Sequence, residues 1–148
     1  MTSVRDGEAF GPPLLGALLR VPWEAVRRRM LERLHEEGFD DIDAPCLTVF
    51  LHPGPQGTRP SELAARLGMS KQALNYLLGE LERRGYLERR VDPQDRRSKR
   101  IALTQRGERA GWVMRGAVSE LEREWEARLG AKRFADLRGL LHELAEQG

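Results

Sequence analysis

A chain of 148 residues has the size of one ordinary domain, and 40% hydrophobic with 32% charged residues suits a helix-rich globule and argues against a disordered chain. A single cysteine, Cys46, excludes an internal disulfide and fits a reducing compartment. No apolar run nears the roughly 20 residues that cross a bilayer, and the opening MTSVRDGEAFGPP lacks the basic start and apolar centre of a signal peptide, so a cytoplasmic protein with no membrane partner is expected.

Residues 1–12 are polar, carry Gly and Pro, and read as a flexible arm. From Pro13 to Glu37 the apolar positions Leu15, Leu19, Trp23, Val26, Met30 and Leu34 recur every three or four residues, one face of a long helix. Pro22 is expected to kink or restart it, because proline removes a donor and clashes with the preceding turn. Asp43 is placed to cap a second helix, Ala44 to about Leu51, which the run HPGPQG (His52–Gly57) breaks. Pro60 opens a third helix that ends at Gly68, with Leu63, Ala64 and Leu67 inward. Ser70 caps a fourth, Lys71–Arg84, with Leu74, Leu77, Leu78 and Leu81 as its core stripe. Two β-capable runs, Tyr86–Val91 and Arg97–Leu103, flank the turn DPQD and predict a hairpin. Thr104 caps a long helix to about Leu129 with Val113, Ala117, Leu121 and Trp125 inward. After Gly130 a last amphipathic helix carries Phe134, Leu137, Leu141 and Leu144. The fold class is therefore mainly α with a small β-hairpin wing. The chain divides into the arm, N-terminal helices over 13–57, a central module over 58–106 and C-terminal helices over 107–148.

The formal charge of +2 is unevenly spread. Residues 58–106 hold twelve basic and six acidic side chains, a net of +6, which leaves −4 for the remainder. A polyanion-binding surface concentrates charge this way; the competing reading is general arginine use on solvated faces. The third and fourth helices meet at Gly68-Met69-Ser70, where the glycine allows a left-handed turn and the serine caps at once, so they must cross steeply as a helix-turn-helix. With its leucines inward, the fourth helix turns Lys71, Gln72, Asn75 and Tyr76 outward. Gln and Asn can pair bidentately with adenine, Lys can donate to guanine or phosphate, and Tyr can stack on a base. Ser70 and the helix-start amides suit a phosphate oxygen. An ordinary exposed helix face carries the same residue types. In the hairpin, Asp95, Arg96, Arg97, Ser98, Lys99 and Arg100 crowd four cations beside a tight turn. Such a tip can straddle phosphates and enter the minor groove, where the potential is most negative. Asp95 lies close enough to hold a guanidinium.

The block Ser61–Gly107 resembles the winged-helix module of the MarR family of bacterial transcription regulators. The resemblance rests on SELAARLGMS, on the L-x-x-L-x-x-x-G-Y-L of Leu78–Leu87, and on DPQDRRSKRIALTQRG with its D-R-R wing and L-T-x-x-G close. The order of flanking helices matches too, so it covers nearly the whole chain. It implies a homodimer on a pseudo-palindromic operator in double-stranded DNA, most simply a repressor. Lys71, Gln72, Asn75 and Tyr76 would read the major groove, Arg97 the minor groove with Asp95 as its orienting partner, and Arg96 a phosphate. Tyr76 departs from the pattern by standing where an arginine is common. Gly79 lies mid-helix at a cost of about 1 kcal/mol against alanine.

The first and last helices are not needed to complete a winged helix; burying Leu15, Leu19, Phe134, Leu137, Leu141 and Leu144 against a second copy explains them. A two-fold pair would set the reading helices about 34 Å apart. Members of the family bind small aromatic or lipophilic effectors between the dimer helices and the DNA-binding lobe, and Trp23, Met30, Phe50, His52 and Trp112 are the candidates to line such a pocket, against plain core or surface roles. Cys46 has no evident cationic partner and reads as buried and inert. His35, His52 and His142 show no ligand spacing, so no metal is assigned. With no catalytic order, phosphate-cradling loop or carboxylate pair recognisable, the chain is not read as an enzyme and no cofactor is expected. The alternative, a winged helix used only for protein–protein contact, gives no reason for the Arg96–Arg100 cluster.

Overall fold

The computed structural model describes residues 11–53 and 57–146. Residues 1–10 of the expected arm, and Gly54, Pro55 and Gln56 of the run that breaks the second helix, lie outside them. In chain order the described elements are α1 (Leu15–Glu36), α2 (Ala44–Phe50), α3 (Pro60–Leu67), α4 (Lys71–Arg83), β1 (Leu87–Val91), β2 (Lys99–Leu103), α5 (Gln105–Leu129) and α6 (Ala131–Glu146). Among the described residues no helix is long and apolar enough to cross a membrane.

Three short polar side chains set the helix starts. Asp43 Oδ1 accepts from the Cys46 amide at 2.9 Å, Ser70 Oγ from Ala73 at 3.1 Å and Thr104 Oγ1 from Gly107 at 3.1 Å. Each satisfies an amide that the first helical turn leaves without a partner. Gly68 stops α3 in the left-handed region at φ 62°, and Ser70 starts α4 two residues later; the steep crossing follows from that pair.

Pro22 does not divide α1, which runs unbroken through it. Proline costs that helix one bond, to the Leu18 carbonyl. Leu18 is exposed, so water can satisfy the orphaned oxygen. On α5 the buried stripe is Gly107, Ala110, Met114, Ala117 and Leu121, with Val113 and Trp125 only half-buried at its edge. Ala117 and Leu121 take the expected inward positions, whereas Met114 rather than Val113 is buried in the turn before them. Phe134 also differs: it is buried within the chain, at 8% exposure, rather than offered to a partner.

The core is continuous from Met30 and Leu34 of α1, through Leu47, Val49 and Phe50 of α2, to Leu63, Leu74, Leu78, Leu81, Tyr86 and Ile101 of the central module and Ala110 and Met114 of α5. Outside it, α1 and α5 are tied by Arg29 to Glu124 and Arg33 to Glu120, each guanidinium gripping both carboxylate oxygens. The strands pair antiparallel from Leu87↔Leu103 to Val91↔Lys99, and Thr58 adds a bridge to Ile101 on the free edge of β2.

Two glycines give opposite expectations. Gly107 packs so closely that an added Cβ would run into the Tyr86 carbonyl oxygen, backbone that cannot step aside; Gly107→Ala is expected to destabilise by about 3 kcal/mol or more. At Gly79 an added Cβ meets nothing within 4 Å, and Gly79→Ala is expected to stabilise by about 1 kcal/mol. Urea midpoints at one fixed protein concentration check both signs.

Candidate nucleic-acid interface

α4 stands out from the lobe along two rows set by helical spacing. Lys71 and Asn75 border a depression on the α3 side with Pro60 and Ser61; Ser70, Gln72 and Tyr76 border another on the opposite flank. All five expected residues of the reading helix are exposed. Behind them Leu74, Leu78 and Leu81 are fully buried, which holds the rows in place.

The wing follows from a chain of turns. Asp92 N donates to Ser98 O (3.1 Å), Asp95 N to Asp92 O (3.3 Å) and Ser98 N to Asp95 O (3.0 Å), which closes residues 92–98 into a compact tip. Arg96, Arg97 and Lys99 are exposed there, and among the described residues none of their side chains is in an ion pair. Arg100, counted with them from sequence, is instead internal: its Nε lies 3.1 Å from Asp92 Oδ2 and its Nη1 donates to the Gly57 carbonyl at 3.3 Å.

Asp95 does not hold a guanidinium here. Its Oδ1 accepts from the Arg97 amide at 3.0 Å, the local bond that short carboxylates make two residues along a turn. The carboxylate that gathers guanidinia is Asp92, wholly buried at the base of the wing. It accepts from Arg59 Nε at 2.9 Å, sits beside Arg100 Nε, and accepts from the Gln94 amide at 2.9 Å. The Gln94 bond and the two arginines outweigh burial and depress its pKa to about 2. An Asp-Pro turn opening was visible in the sequence, but Arg59 lies 33 residues away and no local pattern connects the two.

The remaining expected residues scatter. Leu15, Leu19, Leu137, Leu141 and Leu144 are exposed on α1 and α6, at 62% for Leu15 and 57% for Leu144. A cleft of about 410 Å³ opens between α1, α2, α5 and α6, lined by Met30, Phe50, Met114 and Val118 with Arg115 and Arg138 at its polar side. Met30 and Phe50 are thus at the cleft, whereas Trp23, His52 and Trp112 are not among its lining residues. Trp112 points to solvent at 72% exposure. His52 has its pKa lowered by burial and then by the Arg66 charge.

A winged helix-turn-helix with an exposed reading helix and an unpaired cationic wing is a DNA-binding module of the kind bacterial transcription regulators carry. Residues 42–98 match the model of the MarR family. The matched family and the folds this chain resembles are those of transcription regulators rather than enzymes. It is 29% identical over 85 residues to the uncharacterized HTH-type transcriptional regulator YkoM of Bacillus subtilis (strain 168), covering 57% of this chain and 54% of that one. It is 43% identical over 49 residues to the transcriptional repressor MprA of Escherichia coli (strain K12), covering 33% of this chain and 28% of that one. The match therefore spans about half of the first relative and less of the second. Among solved structures it resembles the transcriptional repressor CouR bound to a 23-mer DNA duplex (TM-score 0.66, 26% identity, 89% of this chain and 92% of that one). CouR from Rhodococcus jostii RHA1 bound to p-coumaroyl-CoA is similar to the same degree (TM-score 0.67, 25% identity, 88% and 91%).

Cys46 does have a cationic neighbour, Arg84 Nη1 at 3.6 Å from Sγ. Burial, then Asp43, nevertheless pushes its pKa up to about 11 against that guanidinium. The thiol is expected to resist iodoacetamide at neutral pH until the chain is unfolded in urea, which mass spectrometry of labelled peptides would show.

Proposed function

We propose that this chain is a homodimeric, sequence-specific repressor that binds a pseudo-palindromic operator in the cytoplasm and is released by a small lipophilic or aromatic effector. The observation that carries the DNA-binding part is the pairing, on one lobe, of an outward reading helix with three wing cations that have no partner within the described chain. Lys71, Gln72, Asn75 and Tyr76 read base edges in the major groove, and Ser70 with the first amides of α4 takes a phosphate. Arg97 enters the minor groove, with Arg96 and Lys99 on the flanking phosphates and Asp95 shaping the turn that presents them. A winged helix used for protein contact alone leaves those cations without a purpose.

The dimer reading rests on Leu15, Leu19, Leu137, Leu141 and Leu144. Apolar side chains this exposed, grouped at the two ends of the chain, gain most by covering one another across a two-fold axis. Phe134 supports α6 from inside. The effector reading rests on the cleft, whose apolar walls and Arg115 suit an amphipathic or aromatic ligand, Arg138 being paired there with Glu122 at 2.8 Å; CouR with p-coumaroyl-CoA is a similar protein with a ligand bound.

Duplexes enriched by the wild-type protein from fragmented genomic DNA supply the operator. Against it, Arg97→Ala is expected to weaken binding about tenfold or more in fluorescence anisotropy, and Gln72→Ala to relax base preference at one position while random DNA is bound as before. Equal losses on operator and random duplex would remove Gln72 from base reading. The dimer is checked separately: Leu137→Glu with Leu141→Glu is expected to yield monomers in sedimentation velocity that bind the operator at least about tenfold more weakly.

A further inference from the structure

We propose that Asp92 is a positioning residue for DNA binding: a buried carboxylate that clamps Arg59 and Arg100 together and so fixes where the wing stands relative to the reading helix. This rests on the DNA-binding reading above and adds to it a residue that touches no DNA.

The clamp joins three segments that meet nowhere else in the same way. Arg59 is the residue from which α3 starts, and its Nε donates to Asp92 Oδ2 at 2.9 Å. Arg100 belongs to β2 and brings its Nε to the same oxygen at 3.1 Å, while its Nη1 holds the Gly57 carbonyl at 3.3 Å. The other oxygen, Oδ1, accepts from the Gln94 amide and sets the first bend of the wing tip. The Thr58–Ile101 bridge lies beside the clamp, with backbone bonds of 2.9 and 2.8 Å that strap the approach to α3 along β2.

A two-stranded hairpin is marginal by itself and swings at its base. A reading helix in one groove and a wing arginine in the next act together only when their separation is held within a fraction of an ångström to an ångström. Asp92 is the single charged group among the described residues that is wholly buried, and both of its cationic partners lie on the segments that must be held in register. Arg59 and Arg100 carry no other ion pair among the described residues. Their charge is therefore spent on the clamp, and the exposed Arg96, Arg97 and Lys99 are the ones it aims.

The test is Asp92→Asn, which keeps the shape and the oxygen facing Gln94 but removes the charge, compared with Arg59→Met, which opens one arm and leaves the Arg100 arm closed. Both are measured on duplexes enriched by the wild-type protein, by anisotropy and by hydroxyl-radical footprinting, alone and combined with Arg97→Ala. The expected result is an affinity about tenfold lower for Asp92→Asn, with the flanking minor-groove protection lost and the central major-groove protection kept. Arg97→Ala should then cost less than about twofold more, because the wing is already misplaced. Arg59→Met should show the same pattern to a smaller degree, and it decides the matter if Asp92→Asn does not fold. Wild-type affinity in the folded variants, or a uniform loss of protection with Arg97→Ala still costing its full factor, would overturn the clamp. A wild-type protein that enriches no duplex would instead refute the DNA-binding reading, a separate and visible failure.

Discussion

The α1–α2 link, α2, α4, the start of β1 and the start of α5 meet at Tyr86. Its amide caps α4 by donating to the Leu81 carbonyl, and its own carbonyl accepts from Thr104 where α5 begins. Its ring, wholly buried, stands edge-on to Phe50 of α2 and tilted against Phe39. Its hydroxyl donates to Asp41 in the link between α1 and α2 and accepts from Arg106 Nη2 at 2.9 Å. Burial and the Asp41 carboxylate push that hydroxyl's pKa up to about 12, so it stays a donor under all ordinary conditions. One side chain thus ties the N-terminal helices, the reading helix, the wing and α5. The cost is visible in Arg106: its guanidinium lies over the Phe39 and Tyr86 rings, and its Nε is buried with no hydrogen-bond partner among the described residues. A cation at the start of a helix is unfavourable; Asp41 and the two ring faces offset it.

That junction explains why some of the fold was legible and some was not. The helix starts were, because a cap is a local event: Asp43, Ser70 and Thr104 each act within three residues of themselves. The wing was as well, since a Pro-containing turn between β-capable runs has few alternatives. At one position of α5 the inward residue was not legible, because Val113 and Met114 are equally apolar and the packing of α1 against α5 buries Met114. The Asp92–Arg59 pair could not be read at all. Its members are separated by two helices and a strand, and an aspartate beside arginines looks the same in sequence whether it is Asp92 or Asp95. Proximity in the chain favoured Asp95, but burial selects Asp92, because a carboxylate without water must find its cations nearby.

The same distinction changes what the positive charge of the central module means. Most of its arginines already face an acidic partner within the chain. Arg89 is held by Glu82, Arg90 by Glu88, Arg83 and Arg84 by Glu80, Arg106 by Asp41, and Arg59 and Arg100 by Asp92. Only Arg89–Glu82 ties the wing to α4, and the two Asp92 pairs tie it to the approach of α3; the others are local or reach back to the α1–α2 link. On the exposed surface such pairs are worth little in stability, yet they neutralise arginines that would otherwise blur the field. Within residues 58–106, the cations left without an acidic partner among the described residues are Arg66 on α3, Lys71 at the start of α4, and Arg96, Arg97 and Lys99 on the wing.

Those remaining charges fall at the two ends of one lobe, where a groove-reading helix and a minor-groove finger would each need them. A net charge spread evenly over the module would attract DNA in any orientation. On the proposed reading, internal pairing of the others would concentrate the attraction at two places held by the packed core and by Asp92, so that electrostatic encounter favours the docked register. The leucines of α1 and α6 bear on the same economy. A single lobe with five free cations gains modest affinity from phosphates alone, and pairing two lobes multiplies it without adding charge that would bind sequence-independently. Selectivity in such a protein is therefore decided as much by which arginines are taken out of play as by those that reach the DNA.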